Sequence, residues 1–554
     1  MDRDAAVEVA GRVVTAGDGS TDRQGRVVTA GDGSTDRQGR VVTAAGGSTD
    51  RQGRVVTAAD DSADQPGRVA TDDSPTPPTT GLEGRVSSAI RWSAINSLLQ
   101  RLAAVGISIL LARLIAPEQF GVFAVALVVL NIVLSVSELG VSAALVRHNG
   151  PIEEMAPTVT TLSLASGTLL ALICAVGAPW FSNAMDAPEA AGVIQLMSIA
   201  LIVAGATAVP GAMMQRNFRQ DHKFYADTAA FVAGTAVAVV LAFMGFGAWS
   251  LAWQRIAQNL SAAVIMFWLT KDRFRPGWNA VQAKELLAFG LPLAGSSLLI
   301  FGVMNVDYIV VGAMLGTVQL GFYLLAFNLA SWPVAAFSAP VRSVSLAAFS
   351  KVREDPELFQ KSFGRALGLL ALVTVPACVL LAALAEPLIR VVYGERWAPA
   401  ATALALLVLL GAVRVALELG YDFLASAGRS RAILVIHVVW LVALVPLLAL
   451  GAHFDGIRGV AAAHVIVAVL IITPAYLVTF KPYGIRAGAL GTRLLRPFLG
   501  GVLMVAVVLA VRNMIDSELL QILVGGALSC LAYALVVFPM RHEIIAVLKK
   551  RADA

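Results

Sequence analysis

The sequence predicts an all-α polytopic membrane protein of about 14 transmembrane helices behind a disordered N-terminal tail. Three observations carry that reading: an apolar excess, apolar blocks of membrane-crossing length, and basic residues sorted between alternate loops. The 554-residue chain is 57% hydrophobic and only 14% charged, with a mean hydropathy of +0.74. Water-soluble domains do not reach such values. A helix needs roughly 20 apolar residues to cross a hydrocarbon core of about 30 Å, and blocks of that length follow one another from residue 85 onward. The short segments of alternating polarity that mark a transmembrane β-barrel are missing.

Taken in order, the polar tail 1–84 comes first. "GRVVTAGDGSTDRQ" starts at Gly11 and recurs at Gly25, Gly39 and Gly53, a 14-residue period that decays from Gly67. Each copy has little beyond a Val-Val pair to bury, too little to offset the entropy of ordering its backbone, so disorder is expected. "GDGSTD" echoes calcium-binding repeats but lacks their nine-residue period and apolar positions. The first 30 residues carry no apolar core of a cleavable signal peptide, and the tail also reads as a repeated DNA segment translated upstream of the working start.

Breaks at charge, proline or glycine divide the rest into spans near 92–114, 119–146, 158–179, 192–214, 226–246, 248–270, 286–314, 318–345, 363–385, 399–425, 432–451, 457–479, 491–512 and 518–539. Basic residues crowd the loops after even-numbered spans: Arg216, Arg219 and Lys223; Lys271, Arg273, Arg275 and Lys284; Lys351 through Arg365; Lys481 through Arg496. After odd-numbered spans there are only Arg113, Arg390, Arg396, Arg458 and Arg512. The positive-inside bias then places the even loops and both termini in the cytoplasm, including the basic C-tail 541–554. Cys174, Cys378 and Cys530 each stand alone in an apolar block and read as buried, inert thiols. Trp92, Trp180, Trp249, Trp268 and Trp397 fall near span ends, as interfacial belts require.

"ARLIAPEQFGVFAVA" (112–126) has a counterpart 200 residues later in "GAMLGTVQLGFYLLA" (312–326), with Gln119/Gln319, Gly121/Gly321 and Ala126/Ala326 identical. "AINSLLQ" at Ala94 and "AGSSLLI" at Ala294 share the offset. The shift carries span 1 to span 7 and span 2 to span 8, so the two halves run the same way. Such parallel repeats, with the substrate path between halves that rock against each other, are a transporter arrangement. The turn 113–121 itself reads as an outer connection: Arg113 reaches the interface, Pro117 opens the next helix where its missing N–H costs little, and Gly121 permits close helix approach.

These residues also resemble a known family. "LLARLIAPEQFGVFAVALVVLNIVLSVSELGVSAALVR" is similar to the opening helical pair of the polysaccharide transporters in the multidrug/oligosaccharidyl-lipid/polysaccharide flippase superfamily. Arg113, Pro117, Phe120, Gly121, Leu139, Gly140 and Arg147 match, while Glu138 replaces the usual Asp. The likeness continues through "QRNFRQDHKFYAD" at Gln215, "GFGAWSL" at Gly245, "FGLPLAGSSLL" at Phe289, "VDYIVVGAMLGTVQLGFY" at Val306 and "VVYGERWAPA" at Val391, most closely the colanic-acid and teichuronic-acid exporter branch. It implies two pseudo-symmetric six-helix lobes, 85–284 and 285–484, around a central cavity, with two accessory helices in 485–540. It also implies flipping of polyprenyl-diphosphate-linked sugar units, for lipopolysaccharide or exopolysaccharide assembly at the bacterial cytoplasmic membrane.

A charge inside a span costs about 2.5–3.5 kcal/mol on insertion scales and turns toward a cavity or partner. Arg101, Arg255 and Arg414 lie inside apolar blocks, and guanidinium forks suit a diphosphate headgroup whose prenyl tail stays in lipid. Arg414 has Glu418 and Asp422 on the same helical face, which equally predicts a structural ion-pair ladder, and Arg101 lies near enough to a helix end to snorkel. Glu138, Asn305 and Asp307 are the polar candidates for cavity lining or for cation coupling, against plain helix–helix hydrogen bonding. Arg342 reads as an interface residue. His437 and His464, with no acidic neighbour in helical register, read as packed or bonded core residues and not a proton relay.

Two competing functions remain. A cation-coupled drug antiporter would share the fold but is expected to carry a carboxylate in span 1, where Asn96, Gln100 and Arg101 stand. A membrane glycosyltransferase or polymerase would need an acid/base constellation on a sizeable outer loop, and the outer loops are short, with sparse carboxylates such as Glu395 and Asp516. No glycine-rich phosphate loop, nucleophile elbow or metal-spaced ligand set appears. The expectation is a transporter without enzymatic activity, cofactor, metal or nucleic acid. Its partners are a lipid-linked oligosaccharide, the bilayer and, in the same pathway, polysaccharide polymerase and glycosyltransferases.

Overall fold

The computed structural model describes the backbone of residues 103–137, 145, 152–216, 220–270, 275–351 and 355–540, together with four strand fragments nearer the N terminus. The chain divides into two units, Met1–Ile90 and Arg91–Ala554. In the first, Ser20–Thr21 pairs antiparallel with Val27–Val28, and Gly47–Thr49 with Val55–Thr57. Thr21 faces Val27 and Thr49 faces Val55, so the same positions of the repeat meet two periods apart. Fragments this short are far from an independently stable sheet.

The second unit is helical. Helix α1 (Ala103–Leu114) leads into α2 (Pro117–Ser137), which has proline at its first position and Glu118 against its positive end. There follow α3 (Ile152–Ala184), α4 (Ala190–Arg216), α5 (Gln220–Phe243) and α6 (Ala248–Leu269). Helix α7 (Ala280–Lys351) is broken at Gly316, whose φ of 80° and ψ of 178° suit glycine alone. The break falls in the gap expected between spans 7 and 8. Helix α8 (Pro356–Ala383) starts under the Asp355 side chain, which accepts from the amides of Glu357 and Leu358.

The short α9 (Ala385–Tyr393) occupies what the sequence reads as a plain loop. Next come α10 (Ala400–Ser426) and α11 (Ser430–Ile466), the latter bent at Asp455 and Gly456 between expected spans 11 and 12 and continuing through a π-turn into α12 (Thr473–Phe480). Helix α13 (Ala487–Met514) and a last span ending in α14 (Gly526–Val537) complete the bundle. Among the described residues ten helices are long and apolar enough to cross a membrane.

The duplication is visible in the backbone. Gly121 lies so close to the break-proximal arm of α7 that an added Cβ would sit 1.8 Å from the Thr317 carbonyl oxygen, and one at Gly321 would sit 1.9 Å from that of Pro117. Residues 117 and 121 thus face 317 and 321 across a local two-fold, in the register the 200-residue shift predicts. The turn before α6 and the bend in α11 use the same glycine conformation, Gly247 at φ 54°, ψ −125° and Gly456 at φ 54°, ψ −138°.

Large apolar side chains such as Leu172, Val176, Phe243, Leu470 and Leu535 are exposed, as lipid-facing positions require. Trp180, Trp249 and Trp268 are exposed as belt residues are, whereas Trp397 is fully buried, a correction whose cause is the tertiary hydrogen bond described below. Cys174 and Cys378 are buried, but Cys530 is exposed, because the last span packs on only one face. Trp92 lies outside the described residues.

Candidate functional site

Two groups of side chains stand out, one inside the second half of the bundle and one at the end that the charge pattern assigns to the outside. The first is built on Asp307, in the first arm of α7, wholly buried. Tyr323 Oη, from the second arm, donates to Asp307 Oδ2 at 2.7 Å, and His464 Nε2, from α11, stands 3.3 Å from the same oxygen. Asp307 Oδ1 and His464 Nε2 make no hydrogen bond. The rings of Tyr308, Tyr323 and Phe327 pack around the carboxylate, with centroids 5.4–6.2 Å apart, and the Arg414 guanidinium lies within electrostatic reach of both phenols.

Phe327 and Arg414 also line a small cleft, with a volume of about 10 Å³, together with Ala330, Ser331 and Val334 of α7 and Leu407, Leu410 and Gly411 of α10. The cleft places one cation against an apolar wall. A guanidinium there suits an anionic oxygen, and the hollow as it stands is far smaller than a sugar-sized pocket, so a larger ligand needs the helices to part.

The structure thus brings Asp307 and Arg414 into one cluster and adds His464, which the sequence reading set among packed or bonded core residues. The acidic partner exists, but 157 residues upstream, where no helical register could reveal it. His437 does bond its own helix, Nδ1 to the Ile433 carbonyl at 2.8 Å. Asn305 is half-buried and bonded. Of the expected Arg414 ladder, Asp422 is buried and accepts from Ser345 at 2.8 Å. Arg255 is exposed on α6, in the other half, with Asn259 Nδ2 donating to its carbonyl at 2.9 Å. Arg101, Glu138 and the side chain of Arg342 lie outside the described residues.

The second group joins α1 to the 391–397 turn. Arg113 does not point to lipid as a helix-end arginine would: its Nε and Nη2 donate to the carbonyls of Val392 (2.9 Å) and Val391 (2.5 Å). In return Arg396 Nη2 donates to the carbonyls of Ala112 (2.6 Å) and Arg113, and Trp397 Nε1 donates to Ala112 at 2.8 Å. Trp397 sits edge-on between Phe120, at 5.2 Å, and Phe322, at 6.0 Å. Tyr393, at the end of α9, is buried as well, which pushes its hydroxyl up to about 12, so it stays neutral at any physiological pH. Beside it Arg390 pairs with Glu386, Glu395 and Glu518, and Arg512 with Glu386, docking the last two spans on α9.

A duplicated helical bundle with buried charges and a cleft inside one half is the architecture of a membrane transporter. The chain belongs to the polysaccharide biosynthesis protein family, whose model matches residues 110–402, just over half of it. It is 24% identical over 412 residues to the lipopolysaccharide biosynthesis protein WzxC of Escherichia coli K12, covering 72% of this chain and 82% of that one. It is 28% identical over 323 residues to the succinoglycan biosynthesis transport protein ExoT of Rhizobium meliloti, covering 58% and 65%. In fold it is similar to the lipid II flippase MurJ in an inward closed conformation, with a TM-score of 0.69 and 15% identity over 82% of this chain and 99% of that one. A multidrug MATE transporter facing inward is more distant, at a TM-score of 0.55 and 19% identity, covering 70% and 94%.

Proposed function

We propose that this protein flips polyprenyl-diphosphate-linked oligosaccharides across the bacterial cytoplasmic membrane for surface polysaccharide assembly. The observation that carries the proposal is the match of the polysaccharide biosynthesis family across both copies of the duplicated turn, 112–126 and 312–326, in a chain with the fold of a lipid II flippase. The halves 85–284 and 285–484 act as lobes that rock about the Gly121–Gly321 crossing, 485–540 is accessory, and both termini face the cytoplasm. Arg255 and Arg414, with Arg101, attract the diphosphate; Asp307, Asn305 and Glu138 line or position the path. Chemistry on the sugar belongs to glycosyltransferases and a polymerase, and this chain catalyses none.

A deletion strain tests the reading. Loss of the gene leaves lipid-linked oligosaccharide accumulated on the cytoplasmic leaflet and surface polysaccharide absent, and a plasmid copy restores export. Unchanged polysaccharide with no accumulated intermediate rejects it.

A further inference from the structure

We infer that Arg113, Arg396 and Trp397 form the latch of an outer gate that must open for cargo to leave. The inference rests on the transport reading and on the loop assignment above. Each hydrogen bond of the clasp spans some 280 positions of sequence, from the end of α1 to the end of α9 and the turn after it, and so ties one half of the bundle to the other. The contact is reciprocal: Arg113 grips the backbone at 391–392, while Arg396 and Trp397 grip the backbone at 112–113. The acceptor of every bond is a main-chain carbonyl, so closure needs no charged acceptor to be desolvated.

Two further contacts between the halves lie at the same end. One is the Gly121–Gly321 crossing. The other is Met185, 2% exposed in the turn after α3, whose Cε would lie 2.1 Å from a Cβ on Gly312. All these residues belong to, or directly flank, connections after odd-numbered spans. The clasp therefore closes the outer end, and Trp397, wedged between Phe120 of one half and Phe322 of the other, fills the seam. An outward-open state has to break the five clasp bonds and withdraw the indole.

The geometry supplies a reversible lock. Replacing Met185 by Cys shortens the side chain and leaves room for a thiol on Gly312, so in a background with Cys174→Ala, Cys378→Ala and Cys530→Ser the pair Met185→Cys and Gly312→Cys oxidises across the seam. Oxidation is expected to stop transport and a reductant to restore it. Separately, Met185→Cys alone is labelled from outside by a membrane-impermeant thiol reagent. Arg113→Ala and Arg396→Ala are each expected to raise that labelling rate roughly fivefold or more, the size of a coupling between conformational states, with Arg113→Lys intermediate.

Full transport by the oxidised pair overturns the gate while leaving the flippase reading standing. A cysteine-free protein that moves no lipid-linked oligosaccharide counts against the flippase reading alone, because labelling needs no cargo. If the lock does not form, labelling decides: rates unchanged by both arginine variants overturn the latch.

Discussion

The Asp307 cluster makes a quantitative prediction about Tyr323. Both residues are wholly buried and their bond is 2.7 Å, so Tyr323→Phe removes a hydrogen bond to a carboxylate at nearly constant volume. Bonds to charged acceptors contribute about 1.5–3 kcal/mol and neutral ones about 0.5–1.5. The loss is at the upper end here, because Oδ1 is unbonded and Oδ2 keeps only His464 at 3.3 Å. In an Asp307→Asn background the same change deletes a neutral bond. Asp307→Asn alone is uninformative, since removing a buried charge and removing its partners act in opposite directions. The double-mutant cycle isolates the pair: a coupling of about 1–2 kcal/mol, or roughly 5–30-fold in the unfolding equilibrium, is expected. Reversible unfolding by dodecyl sulfate in mixed micelles, run on the four proteins, measures it. Additivity within about 0.5 kcal/mol refutes the charged-acceptor account of this bond.

Further outcomes follow from the same geometry. Trp397→Ala empties a fully buried aromatic site and is expected to cost about 3–5 kcal/mol in the same titration, whereas Trp397→Phe, which keeps the edge contacts but loses the indole N–H, costs about 1–2 kcal/mol. Gly316→Ala forces a side chain into a glycine-only conformation and is expected to destabilise by about 1–3 kcal/mol. Arg414→Ala and Arg255→Ala are expected to reduce export about tenfold or more at unchanged membrane abundance, with Arg414→Lys retaining part of it, read from surface polysaccharide in a complemented deletion strain. Removal of residues 1–84 is expected to leave export unchanged in that assay, because nothing in the repeat carries transport chemistry.

What the sequence discloses and what it hides divide along the range of the interactions. Most of the long apolar helices, the Gly316 and Gly456 breaks and the 200-residue register are legible because apolar block length, glycine and charge act within a turn or a span, although the described residues show ten spanning helices and not the expected 14. Gly121 is legible for the same reason, although only the structure shows that it meets the carbonyl of Thr317. Trp397 and Arg113 look like interfacial residues, since each lies at a span end, and nothing local indicates that α9 folds the 391–397 turn onto the end of α1. His464 is a buried core residue as its sequence context suggests, but the acid beside it lies on another helix, beyond the reach of any local register. The pattern has a mechanistic consequence. Contacts that a moving transporter makes and breaks join its two halves and are therefore distant in sequence, so the residues a sequence reading assigns to bland structural roles, a belt tryptophan or a snorkelling arginine, include the ones best placed to be its gate.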